Sequence, residues 1–143
     1  MIELDKLRKL TIAENPFCAL LQMELLDAKE GYALGRLPIR NEIMNMYGSV
    51  HGGASYALAD TIGGIAATTY GYYVVTVDGK MNYLLQIKDT QYLYCEAKAV
   101  RQGKTIGFYR ITFTNDTHDI VATADFTYYR LDKKLFYNDT NNA

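Results

Sequence analysis

The chain has 143 residues, a formal net charge of −1 and 22% charged side chains. Such a length bounds one domain with a real core, and the balanced charge excludes both a nucleic-acid footprint and a basic membrane-binding face. The two cysteines, Cys18 and Cys95, match no metal spacing and no disulfide framework, which points to a reducing cytoplasm.

The first segment, MIELDKLRKLTIAENPF, alternates charge with apolar residues and lacks the continuous apolar core of a signal peptide. Residues 3–13 set Leu4, Leu7, Leu10 and Ile12 near one face of a short helix, which Asn15-Pro16 ends. Met23–Lys29 and Tyr32–Ile39 read as strands of a hairpin closed at Glu30-Gly31, and residues 40–50 as a loop. Then comes Asn45 to Tyr70, NMYGSVHGGASYALADTIGGIAATTY. Between Ile43 and Val77, Asp60 is the sole acid or base besides His51. Residues 53–70 are marginal in length for a membrane span, and their small residues and central Asp60 argue against one. A helix apolar nearly all round is expected to be enclosed.

Tyr73–Leu85 follows as a strand with Val75, Val77, Met81, Tyr83 and Leu85 in one phase. Tyr92–Arg101 alternates, with small Cys95, Ala97 and Ala99 facing inward. Thr105–Asn115 changes apolar phase near Phe108-Tyr109, as at a bulge or a strand covered on both faces. Ile120–Arg130 carries Ile120, Ala122, Ala124, Phe126 and Tyr128 in phase, and the late strands read as a meander. The order implies an α+β fold, a curved antiparallel sheet around one long helix. Residues 1–137 form one expected domain, and Asn138–Ala143 a polar, frayed tail. The thirteen tyrosines, with no tryptophan, suit half-buried strands and interfaces.

The central segment carries the chemistry. His51-Gly52-Gly53 falls at the helix head, where free N–H groups and the positive dipole end suit an oxyanion or a polarised carbonyl. A His-Gly-Gly run also serves as a plain turn. Asp60, if buried, is a candidate general base; it also fits a structural role as a cap or an ion-pair partner. Gly52 and Asp60 lie eight residues apart, about 12 Å along one helix. One copy of the helix therefore cannot present both groups to one carbonyl, and joint action requires two chains.

Asn45, Gly48, Val50, His51, Gly52, Gly53, Leu58 and Asp60 form the pattern N-x-x-G-x-V-H-G-G-x-x-x-x-L-x-D. It resembles the hotdog-fold thioesterases of the phenylacetate-degradation (PaaI-like) type, as does Thr76 to Leu84. The resemblance runs from about Gly35 to Arg130. It implies a hotdog fold, paired protomers within a homotetramer (a dimer of dimers), and hydrolysis of acyl-CoA without metal or cofactor. It further implies that the Gly52 amide, with Gly53, polarises the thioester carbonyl. Asp60 of the partner would activate water or attack directly. Asn45 positions water or the thioester, His51 holds the loop or contacts substrate, and Thr76 supplies a hydroxyl near the site.

Leu85 and Gln86 stand where family members often carry a basic residue and proline, so the CoA-phosphate contacts differ. Lys80, Lys88, Arg101, Lys104 and Arg110 are candidates for that role, though each reads first as a solvated surface charge, and a carrier-protein thioester stays open beside CoA. A hydratase would need a catalytic histidine in a different motif. A non-catalytic acyl-CoA sensor on the same fold is the alternative from another class.

Overall fold

The computed structural model describes residues 3–135; the expected tail Asn138–Ala143 lies outside them. The N-terminal segment is not one helix over residues 3–13. Helix α1 spans Leu4–Arg8, and Lys9–Ala13 winds on as a π-helical turn, closed by the Glu14 N–H on the Lys9 carbonyl. Thr11 and Ile12 are β-branched, poor α-formers, and the Thr11 hydroxyl bonds back to the Leu7 carbonyl at 2.7 Å. Pro16 then opens a second short helix, α2, Pro16–Leu20, which the pattern did not suggest.

Strands β1 (Glu24–Lys29) and β2 (Tyr32–Pro38) form the expected hairpin. Its two-residue turn works because Gly31 takes φ +73°. A 3₁₀ turn at Asn41–Ile43 leads to helix α3, Gly52–Thr68. Four strands follow: β3 Tyr72–Tyr83, β4 Tyr92–Gln102, β5 Ile106–Thr114 and β6 Ile120–Lys134. All pairings are antiparallel, in the order β1-β2-β4-β5-β6-β3. The sheet curls around α3, and this is the hotdog arrangement.

Several expectations need correction. The meander is β4-β5-β6 alone; β3 crosses to the far edge and pairs with β6, not β4. Its apolar phase is not buried within this chain: Val75, Val77 and Tyr83 are each about half exposed. The irregularity near Phe108-Tyr109 belongs to the facing strand, where Val100 is the extra residue between Ala99 and Arg101. On β5 itself Tyr109, Ile111 and Phe113 keep one buried phase and Phe108 faces out. On β6 a shift at Val121 puts Ile120 outside, while Ala122, Ala124, Phe126 and Tyr128 are buried as expected.

The core lies between α3 and the concave face. Leu58, Ala59, Ile62 and Ala66 meet Leu37, Leu93, Cys95, Ala97, Ile111 and Phe113. Cysteine and alanine on β4 let the helix approach closely. Gly63 is required here, because a Cβ there would meet Ile111 Cδ1 at 2.8 Å and collide with the Tyr128 hydroxyl. The opposite face of α3 is not enclosed. Gly53, Tyr56, Ala57, Asp60, Thr61 and Gly64 follow helical spacing and are exposed or half-buried. This stripe lies beside the open edge strand β3.

Candidate active site

The loop before α3 is built by Asn45. Its Oδ1 accepts from the Tyr47 N–H (2.9 Å), the Ser49 N–H (3.2 Å) and the Ser49 hydroxyl (3.2 Å). Gly48 takes φ +75°, which completes the tight turn. Two further bonds pin the loop end: Val50 N–H to the Ile87 carbonyl (2.9 Å) and His51 N–H to the Ile43 carbonyl (2.8 Å). The Asn45 carbonyl oxygen thus serves the loop, and its amide NH₂ is the group left to meet a ligand.

His51 is the N-cap of α3. Its Nδ1 accepts the Gly53 N–H at 2.8 Å, which assigns an acceptor nitrogen there and holds the imidazole across the first turn. Gly53 therefore spends its amide on the cap. The Gly52 N–H meets no acceptor among the described residues. The carbonyl of Gly52 accepts from the Tyr83 hydroxyl at 2.8 Å. Burial, then nearby Tyr56, pushes the Tyr83 hydroxyl above the usual tyrosine range, so it stays a donor at neutral pH. Asn45, Gly52, Gly53, Tyr83 and Ile87 line one cleft of about 570 Å³.

Asp60 lies two turns further along α3, half-buried and apolar on its core side. The Thr76 hydroxyl, from β3, donates to Asp60 Oδ1 at 2.6 Å. The buried Tyr128 hydroxyl, from β6, donates to the Asp60 backbone carbonyl at 2.9 Å. Burial, then the Asp60 charge, pushes that hydroxyl well above its ordinary range, so the bond persists. Behind the site, Cys18 Sγ is 3.7 Å from Thr61 Oγ1; burial raises the thiol's pKa most, and nearby Asp60 raises it further. Asp60, Thr61, Gly64, Thr76 and Tyr128 line a second groove of about 410 Å³, closed on one side by Thr11 and Asn15.

The residues singled out from sequence thus fall into two groups. Asn45, His51, Gly52 and Gly53 share the helix head. Asp60 and Thr76 share a hydrogen bond one cleft away. Among the added residues, Tyr83 and Tyr128 carried a signal, since both sit in phase on apolar strands. Thr11 and Asn15 carried none, because only the tertiary fold brings the N-terminal segment to Asp60. Of the five candidate cations, Arg110 is paired with Asp125 at 2.6 Å.

The helix head can donate to a developing negative charge, and the Asp60–Thr76 pair can accept a proton. The fold is shared with solved structures, and the sequence has curated relatives. The acyl-coenzyme A thioesterase PaaI of Escherichia coli is 29% identical over 110 residues, 76% of this chain and 79% of that protein. The structure of the E. coli PaaI protein superposes with a TM-score of 0.82 at 24% identity, covering 85% of this chain and 88% of that one. The Streptococcus mutans protein smu.793, solved bound to acetyl CoA, superposes with a TM-score of 0.75 at 27% identity, covering 79% and 91%. A profile of the thioesterase superfamily matches residues 47–122, which contain the end of the loop, the whole of α3 and strands β3 to β5. With more than half its length in that match, and with the matched stretch holding every site residue singled out from sequence but Asn45, the chain belongs to the thioesterase superfamily.

Proposed function

We propose that the protein hydrolyses acyl-CoA thioesters to free acid and CoA thiol, at sites shared between two protomers. The observation that carries this reading is the separation of its two half-sites. The Gly52 amide and the Asp60 carboxylate sit on one helix about 12 Å apart, in two different clefts. An oxyanion donor and a base must both lie about 3 Å from the reacting atoms. A second copy, with its α3 alongside, brings the missing half to each cleft.

In the reaction the thioester carbonyl oxygen takes the Gly52 N–H. Asp60 of the other protomer removes a proton from water as the water oxygen bonds to the carbonyl carbon. The C–S bond then breaks, and the thiolate takes the proton. Direct attack by Asp60 Oδ2, with water opening the resulting anhydride, uses the same groups. Thr76 occupies Oδ1 and so leaves Oδ2 for either step. The Asn45 amide orients the thioester, and His51 holds the loop.

Support for the dimer comes from the unpaired edge of β3, which exposes Val75, Val77 and Tyr83 beside the open stripe of α3. Continuing two sheets edge to edge would remove that liability. A dimer of dimers is the assembly we assign. Residues 1–137 act as one domain. A cytoplasmic setting suits Cys18 and Cys95, both buried and free. No helix among the described residues is long and apolar enough to cross a membrane.

The deciding assay is thiol release from acetyl-, hexanoyl-, palmitoyl- and phenylacetyl-CoA by wild type and Asp60→Asn. Wild type releases thiol, and the variant loses about 10²- to 10⁴-fold in kcat while keeping its melting temperature. Release that survives the substitution would remove Asp60 from the chemistry.

A further inference from the structure

The donor assigned to the carbonyl oxygen is the N–H of a glycine that a second glycine follows. Glycine there leaves the amide uncovered, but it has the softest backbone of any residue, and a donor stabilises a transition state only when it is held in place. Something must therefore fix Gly52.

The hydrogen bonds around it show what does. The peptide unit that carries the Gly52 N–H also holds the His51 carbonyl, which accepts from the Ala54 N–H at 2.9 Å. The next unit, between Gly52 and Gly53, is gripped at both ends. Its N–H donates to His51 Nδ1 at 2.8 Å, and its carbonyl accepts from the Tyr83 hydroxyl at 2.8 Å. A peptide unit is planar, so two such bonds set its orientation. Helix geometry already gives that carbonyl the Tyr56 N–H as a donor, so the Tyr83 bond is not needed to satisfy it. The Tyr83 phenol also lies against Gly52, where an added Cβ would come within 3.1–3.3 Å of it. Tyr83 stands on β3, outside both the loop and the helix, and so ties the helix head to the sheet. We propose that Tyr83 is a positioning residue, whose hydroxyl clamps the Gly52–Gly53 peptide and thereby aims the Gly52 N–H at the thioester oxygen. The role rests on the thioesterase reading above.

The test is Tyr83→Phe, which keeps the ring and removes only the hydroxyl, beside wild type on acetyl-, hexanoyl-, palmitoyl- and phenylacetyl-CoA. On the substrate that wild type cleaves fastest, kcat falls about tenfold while KM stays within about twofold, because the donor is misaimed and the substrate's binding surface is kept. Hydrogen exchange across residues 51–56 quickens, and light scattering shows the assembly unchanged. An unaltered kcat overturns the inference. So does a rise in KM alone, which would make Tyr83 a substrate contact. A fall in kcat with exchange unchanged overturns it too, and a fall that comes with loss of the oligomer would make Tyr83 an interface residue instead. Wild type that cleaves no acyl-CoA of the panel sinks the hydrolase reading, and the positioning role with it. An active wild type with an equally active Tyr83→Phe sinks only the positioning role.

Discussion

His51 shows how one side chain apportions the first turn of α3. By capping Gly53 it leaves the Gly52 N–H as the amide free to meet a carbonyl oxygen. His51→Ala removes the cap and costs about 1 kcal/mol of stability, read as a lower melting temperature. The His51→Asn variant, which restores a side-chain acceptor, recovers most of that loss. A variant series with no thermal difference would show that the cap contributes nothing. Gly52 permits a sharper change. It stands at the first helical position, where proline is tolerated, and His51 has φ −59° and ψ 132°, a conformation that proline accepts before it. Gly52→Pro therefore deletes the N–H, with the Tyr83 phenol, 3.1–3.3 Å from the added Cβ, giving way by a few tenths of an ångström, and kcat falls about 10²- to 10³-fold, the usual loss for one oxyanion donor. Thr76→Val removes the hydroxyl from Asp60 Oδ1. A hydrogen bond to a charged group is worth about 1.5–3 kcal/mol, so kcat drops roughly tenfold or more if the bond holds the carboxylate in its working position.

At the scale of elements, what could be read from sequence follows from what each element touches. Helix α3 was legible because its apolar length, capping run and single acid are local facts. Strand β4 was legible because alternation of Leu93, Cys95 and Ala97 with Glu96 and Lys98 records a sheet with one covered face. Strand β3 misled because its apolar phase is local, whereas its place at the sheet edge is set by pairing with β6, which leaves Val75, Val77 and Tyr83 about half exposed. The bulge was sensed near Phe108 yet lies in β4, since register is a property of a pair and not of one strand. The candidate site divides the same way. Asp60 and Gly52 stand out by composition, whereas Asn15 and Thr11 reach the groove only through a π-turn that spacing does not reveal. One loop contact adds a pH signature. Asp116 accepts from the Gln91 N–H (2.5 Å) and the Tyr92 N–H (3.3 Å), tying the β5–β6 turn to the start of β4. Chiefly the Gln91 amide holds its carboxyl below the usual aspartate range. A depressed folded pKa gives stability that is present above the unfolded value, near 3.8, and lost as pH falls through the folded one. The melting-temperature gap between wild type and Asp116→Ala thus stays constant at neutral pH and closes below about pH 4. A gap that persists in acid would assign the effect to the turn backbone alone.

For the whole molecule, the separation of the half-sites makes a prediction that no single-chain arrangement shares. In an isologous dimer each cleft pairs one chain's Gly52 with the other chain's Asp60. Homodimers of Gly52→Pro lack the donor in both sites, and homodimers of Asp60→Asn lack the carboxylate in both. A mixed dimer differs. One of its sites carries both lesions, but the other joins the intact Gly52 of the Asp60→Asn chain to the intact Asp60 of the Gly52→Pro chain. Unfolding and refolding the two inactive proteins together at equal amounts makes half the dimers mixed, with one good site of two. Activity should return to about a quarter of the wild-type value, while each protein refolded alone stays inactive. If both groups acted within one chain, mixing would restore nothing, because neither chain holds an intact pair. A third result is also decisive: a wild-type protein that is active as a monomer by light scattering would refute the shared site without any variant.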